Sequence, residues 1–201
     1  MGIFDWLFGR SQPQEISREV TRGDGQKTTA IAYSDGSWLV ESEVDEPFTT
    51  FYKLSEDIRT SRDISAKLAA CEASYKILPE FVRLTLADWG KLPDSIRCRD
   101  EGAKLYMRLG DWSAARSAID KCIAAGAYPD GGAEALNHLA RYEQTAWLAL
   151  AFLDENPGFP QNKIYKALPA ADQDCLKEFV RSSLLIRKEK FGRTNKLYRI
   201  V

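Results

Sequence analysis

Leu184-Leu185-Ile186-Arg187-Lys188-Glu189-Lys190-Phe191-Gly192-Arg193-Thr194-Asn195-Lys196-Leu197-Tyr198-Arg199-Ile200 is the stretch on which the fold turns. Leu184–Glu189 and Asn195–Ile200 read as two strands, and Lys190–Thr194 between them holds a glycine among basic residues, a hairpin tip. Three helices are expected before it. A long one carries Ala133 towards Asp154, where Asn156-Pro157-Gly158 forces a turn. Phe159-Pro160-Gln161 opens a short second helix with Ile164, Tyr165 and Leu168 facing inwards, and Pro169-Ala170-Ala171 breaks it. The third helix, Asp172 to Ser183, sets Leu176, Phe179 and Val180 on one face.

Working back towards the N-terminus, the periodicity stays helical as far as Ser61. Ile64, Leu68, Cys71, Tyr75 and Leu78 recur at spacings of 4, 3, 4 and 3 and draw one apolar stripe. Pro79 is expected to end that helix and to start the next, Glu80 to Trp89, which Gly90 and Pro93 close. Asp94 or Ser95 is the expected cap of a helix running to Leu109. Gly110-Asp111 breaks it, and another runs from Trp112 to about Ala125, stopped by Gly126.

Before Ser61 the period is that of strands. Thr28–Tyr33 and Ser37–Glu41 flank Ser34-Asp35-Gly36, the signature of a β-hairpin. An isolated hairpin is marginal in water, so it is expected to pack on the helices through Phe48, Phe51 and Tyr52. Residues 10–26 are polar and carry Pro13, Gly23 and Gly25, a linker by composition. Gly2–Gly9 is strongly apolar. Phe4, Trp6, Leu7 and Phe8 are the candidate partner-binding residues there, with docking on the protein's own surface the simpler expectation. A myristoylation pattern would need Ser or Thr at position 6, where Trp6 stands.

Two resemblances follow. Glu101–Ala115 resembles a tetratricopeptide repeat: Ala103 falls where the paired helices cross, Tyr106 at the aromatic position, Gly110 at the turn and Ala115 on the second helix. Ile119 and Cys122 fill its later apolar positions. The match spans about one 34-residue unit. Arg99 replaces the family's first aromatic, so a small bundle is expected and not an extended array. The helices and hairpin of residues 133–201 resemble a winged helix-turn-helix, with Ser183–Ile200 as the wing. The expected class is therefore mainly α with small β elements (α+β). Residues 1–26 form a tail and linker, 27–132 a β-hairpin with a tetratricopeptide-like bundle, and 133–201 a winged helix.

In winged helices that bind DNA, the third helix enters the major groove and the wing touches the backbone. Carried over residue by residue, the resemblance assigns contacts to Gln173, Lys177 and Arg181 on the third helix. It adds Gln161, Asn162 and Lys163 at the start of the second, and Lys188, Lys190, Arg193, Thr194 and Lys196 on the wing. Charge supports a polyanionic partner. Residues 161–201 hold ten Lys or Arg against four Asp or Glu, a net +6; the whole chain carries −1, so residues 1–160 carry −7. Asp172 and Asp174, at the start of the third helix, suit its dipole but would repel phosphates.

Catalysis is not expected. His138 is the one histidine and sits mid-helix, no cysteine lies at metal-ligand spacing, and phosphate-cradling, dinucleotide and nucleophile-elbow patterns are missing. No cofactor is expected. Cys71, Cys98, Cys122 and Cys175 are far apart and lack a C-x-x-C pair. With no secretory leader and no eighteen-residue apolar run, a reducing cytoplasm fits. The expected role is a non-enzymatic DNA-binding regulator whose helical body binds a protein partner or self-associates. The alternative is a protein–protein adaptor in which both modules dock other proteins.

Overall fold

The computed structural model describes residues 16–21, 27–32, 38–41 and 46–200, with side chains from Phe48 onward. Its elements are β1 (Ile16–Thr21), β2 (Lys27–Ala32), β3 (Trp38–Glu41), α1 (Glu46–Thr60), α2 (Ile64–Trp89), α3 (Arg97–Leu109) and α4 (Trp112–Ala124). Then follow α5 (Ala133–Glu155), β4 (Phe159–Pro160), α6 (Gln161–Ala167), α7 (Gln173–Ser182), β5 (Ile186–Phe191) and β6 (Thr194–Arg199). The fold is mainly α with small antiparallel sheets.

β2 and β3 form the expected hairpin, with Ala32 opposite Trp38 and Thr29 opposite Glu41. The stretch read as linker contains β1, which pairs with β2 from Ile16↔Ala32 to Thr21↔Lys27. Ile16, Val20 and Thr21 are β-formers among polar neighbours, and β2 offers them an edge to pair with. The apolar residues of Gly2–Gly9, with Phe4, Trp6, Leu7 and Phe8, lie outside the described residues.

Two helices differ from expectation. α1 covers a segment read only as hairpin contacts. Its buried Phe48, Phe51 and Ile58 recur at helical spacing, and Phe51 stacks on Phe81 of α2 with ring centroids 4.0 Å apart. α2 runs straight through Pro79, where a break was expected. A proline inside a helix costs about 3 kcal/mol, because it lacks an N–H and crowds the preceding turn. Leu78 before it and Phe81 and Val82 after it are all buried, and burying side chains of that size stabilises by roughly 1.5–3 kcal/mol each. Packing on both flanks outweighs the break. Asp63 caps the start of α2, accepting from the backbone N–H groups of Ser65 and Ala66.

α3 and α4 form an antiparallel hairpin closed at Gly110, whose φ of 77° suits glycine. Neither Asp94 nor Ser95 caps α3 as expected. Asp100 reaches back instead, accepting from the Ser95 hydroxyl and the Ile96 N–H. The tightest approach is at Gly102, not Ala103. A Cβ at Gly102 would overlap the Tyr75 hydroxyl and sit 3.0 Å from its Cζ. Tyr75 donates to the Cys98 carbonyl there, so α2 and α3 meet with no room for a methyl group.

Two apolar cores result. The first joins α1 to α4 around Phe81, Leu78, Cys98 and Leu105. The second joins Met107, Ala115 and Ile119 of the α3–α4 hairpin to α5, α6, α7 and both hairpin strands, with Ile164, Leu176, Phe179 and Leu197 fully buried. Ala103, Tyr106 and Tyr128 pack against both. β4 pairs with β6, and β6 with β5, so the C-terminal sheet has the order β4-β6-β5. Among the described residues no helix is long and apolar enough to cross a membrane.

Candidate nucleic-acid interface

Strand alternation divides the β5–β6 hairpin into two faces. Ile186, Lys188 and Lys190 on β5 share one face with Asn195, Leu197 and Arg199 on β6, according to the register. Ile186 and Leu197 are buried, so this face looks onto the helices. Its polar members tie the hairpin to three of them. Lys188 Nζ donates to the Arg181 carbonyl at the end of α7 (2.8 Å), and Asn195 Nδ2 donates to Gln161 Oε1 at the start of α6 (2.8 Å). Arg199 pairs with Asp154 at the end of α5. The start of α6, the end of α7 and the hairpin are thereby held together.

The outer face carries Arg187, Glu189, Phe191, Thr194, Lys196 and Tyr198. Here Lys196 Nζ lies 4.1 Å from the centre of the Phe191 ring, and the Arg187 guanidinium 5.0 Å from that of Tyr198. The wing residues expected to act together are thus split. Lys188 and Lys190 lie on the helix-facing side, Thr194 and Lys196 on the outer side, and Arg193 is exposed in the turn beside Gly192. Lys188 is also partly committed. Its ammonium satisfies a helix-end carbonyl, and burial lowers its pKa from the usual lysine value.

α7 turns Cys175, Leu176, Phe179 and Val180 inwards, which leaves Asp174, Lys177 and Arg181 along its exposed ridge. Asp172 is the N-cap, accepting from the N–H groups of Asp174 and Cys175, and these bonds with the nearby Arg141 hold its carboxyl below the usual range. Arg141 on α5 stands 3.2 Å from it. Glu178 also faces α5. His138 Nε2 lies 3.4 Å from Glu178 Oε2, and that contact depresses the Glu178 pKa. Two of the four carboxylates in this region are therefore held against α5. Asp174 is not; its side chain is 92% exposed and meets Lys177 Nζ at 3.0 Å.

Gln173 does not face outward as the resemblance implied. Its amide nitrogen donates to the carbonyls of Leu168 and Ala171, closing the turn between α6 and α7. Asn162 and Lys163 are exposed in the first turn of α6, while Gln161 is half-buried against Asn195. Lys163, Lys166, Arg181, Lys190 and Arg193 are exposed and have no ion pair among the described residues. The contacts that sequence reasoning missed, Arg141–Asp172, His138–Glu178 and Asn195–Gln161, join residues some thirty to forty positions apart. No local pattern encodes them.

The body behind this surface is chemically quiet. All four cysteines are free and buried, and burial pushes the thiols of Cys71 and Cys122 up to about 12 and that of Cys175 to about 11. Among the described residues no group of His, Cys, Asp or Glu is arranged to hold a metal ion. Glu72 serves structure, accepting from the Tyr106 hydroxyl at 2.9 Å and from Lys121 at 2.6 Å, and so linking α2, α3 and α4. Comparison with protein families, with characterised proteins and with solved structures finds no match to this chain.

Proposed function

We propose that the chain is a non-enzymatic nucleic-acid-binding regulator that grips duplex DNA with its C-terminal face, a winged helix in which α7 is the groove-facing helix and β5–β6 the wing. The α3–α4 hairpin, in the tetratricopeptide style, belongs in this reading to a helical body that binds a protein partner. Free, buried thiols suit a reducing compartment such as the cytoplasm. One observation carries the reading. Asp172 and Glu178 are engaged by Arg141 and His138 of α5, while Lys163, Arg181, Lys190 and Arg193 remain exposed and free of ion pairs among the described residues. Cations left free in this way attract phosphates by releasing condensed counterions.

Fluorescence anisotropy on mixed-sequence duplex DNA tests it. Binding should be clear at ~50 mM salt and weaken steeply with added salt, with a log–log slope of about −4 if roughly four phosphates are engaged. No binding at ~50 mM salt would end this reading.

A second reading, a protein–protein adaptor, is favoured by Asp174, which stands fully in solvent on the α7 ridge where a phosphate would have to approach. It expects a protein captured by the full chain and lost when the wing charges are swapped. Clear duplex binding with no captured protein would remove it.

A further inference from the structure

We propose that His138 is a proton-controlled switch on the α7 face: protonated, it holds the Glu178 carboxylate, and neutral, it releases that carboxylate to Arg181. The inference rests on the nucleic-acid reading above, because it regulates that same surface. Geometry supplies the motive. His138 Nε2 and Glu178 Oε2 are 3.4 Å apart across the α5–α7 contact, with side chains 32% and 28% exposed. The imidazole is tilted against Tyr142 at 6.1 Å between ring centres, which fixes it beside the carboxylate. Arg181 follows Glu178 by three positions on α7, the spacing at which opposite charges on one helix can meet. It is exposed and makes no ion pair among the described residues, yet its charge already acts on Glu178.

Glu178 is therefore placed between two cations, of which only one can lose its proton near neutrality. Histidine changes charge between about pH 5 and 8, whereas arginine stays charged throughout. The other charged or titratable groups at this contact do not change in that window. Lys104 reaches Glu178 from α3 and stays an ammonium. On α5, Glu134 and Arg141 lie one turn to either side of His138, the latter paired with Asp172. Burial pushes the Tyr142 hydroxyl up to about 12 and the Cys175 thiol to about 11, so both remain neutral. With His138 protonated, the charge-assisted bond satisfies Glu178 and Arg181 can meet a phosphate. With His138 neutral, that bond weakens and Arg181 becomes the stronger partner.

The test uses the full chain and mixed duplex DNA at about pH 6 and about pH 8, below and above the ordinary histidine range. The wild type should bind about two- to fivefold more tightly at the lower pH, the range that one exposed ion pair commands. His138→Gln and Glu178→Gln should both abolish that ratio. Glu178→Gln should bind at the higher pH as tightly as the wild type does at the lower. An equal ratio in all three proteins, or no ratio in the wild type, overturns the switch. If the wild type binds no duplex at either pH, the nucleic-acid reading falls. The Arg181 Nε–Hε resonance then decides the switch alone, since it should move with pH in the wild type and stay fixed in Glu178→Gln. A resonance that ignores pH in the wild type also overturns it.

Discussion

Around Phe81 and Leu105 the helices are joined by polar bonds as well as apolar contact, and the surface charges there answer one another. Glu56 meets Arg59, Glu80 meets Arg83, Asp100 meets Arg99, and Glu72 gathers Tyr106 and Lys121. Around Phe179 and Leu197 the interior is comparably apolar, but the outside is not balanced in the same way. Lys163, Lys166, Lys190 and Arg193 face solvent with no ion pair among the described residues. The contrast separates stability from recognition. Both halves bury enough to fold, and only one leaves charge over for something outside itself.

The largest effect that sharpens this comparison concerns the cores. Phe81→Ala in the first and Phe179→Ala in the second should each cost about 3–5 kcal/mol in urea unfolding. Because Ala103, Tyr106 and Tyr128 pack against both cores, each variant should still unfold in a single transition by tryptophan fluorescence and circular dichroism. Two separate transitions would show that the halves are independent.

Next in size is Gly102→Ala, which should lose about 2 kcal/mol by overpacking against Tyr75, with part recovered by Tyr75→Phe in the same chain. Full stability in the single variant would mean that α2 and α3 separate easily, and the contrast in how the halves are joined would lapse.

The smallest effects concern the charge left over. Arg193→Ala should weaken duplex binding by about five- to tenfold at ~100 mM salt and flatten the salt slope by about one phosphate. Asp174→Ala should tighten binding by about two- to threefold by removing a surface ion pair's acid. Thermal stability should hardly change in either. If Arg193→Ala leaves affinity intact while Asp174→Ala abolishes capture of a protein, the face recognises protein.

Much of the fold was legible because its signals are local. The α5–α6–α7–hairpin order follows from Asn156-Pro157-Gly158, Pro169 and Gly192, residues whose backbone limits act on the spot. α1 carried an equally local signal in Phe48, Phe51 and Ile58, but nearby strand patterns masked its helical period. Pro79 misled for the opposite reason. Its cost is local, and what outweighs it is packing by Phe48 and Phe51 from another helix. The candidate site was legible as a set of residue types and not as an arrangement. That Gln173 closes a turn, and that Asp172 and Glu178 answer to Arg141 and His138, depends on how α5 lies against α7.

The order β4-β6-β5 leaves β5 at the margin of its sheet, with a row of backbone groups facing outward. Such a margin is a template on which another extended chain can assemble. Arg187, Lys188, Glu189 and Lys190 occupy four successive positions along it, so a second molecule arriving in register would bring cation against cation. The basic character of this strand thus guards against fibre-like stacking, whatever else it contacts, and neutralising it would trade solubility for self-association.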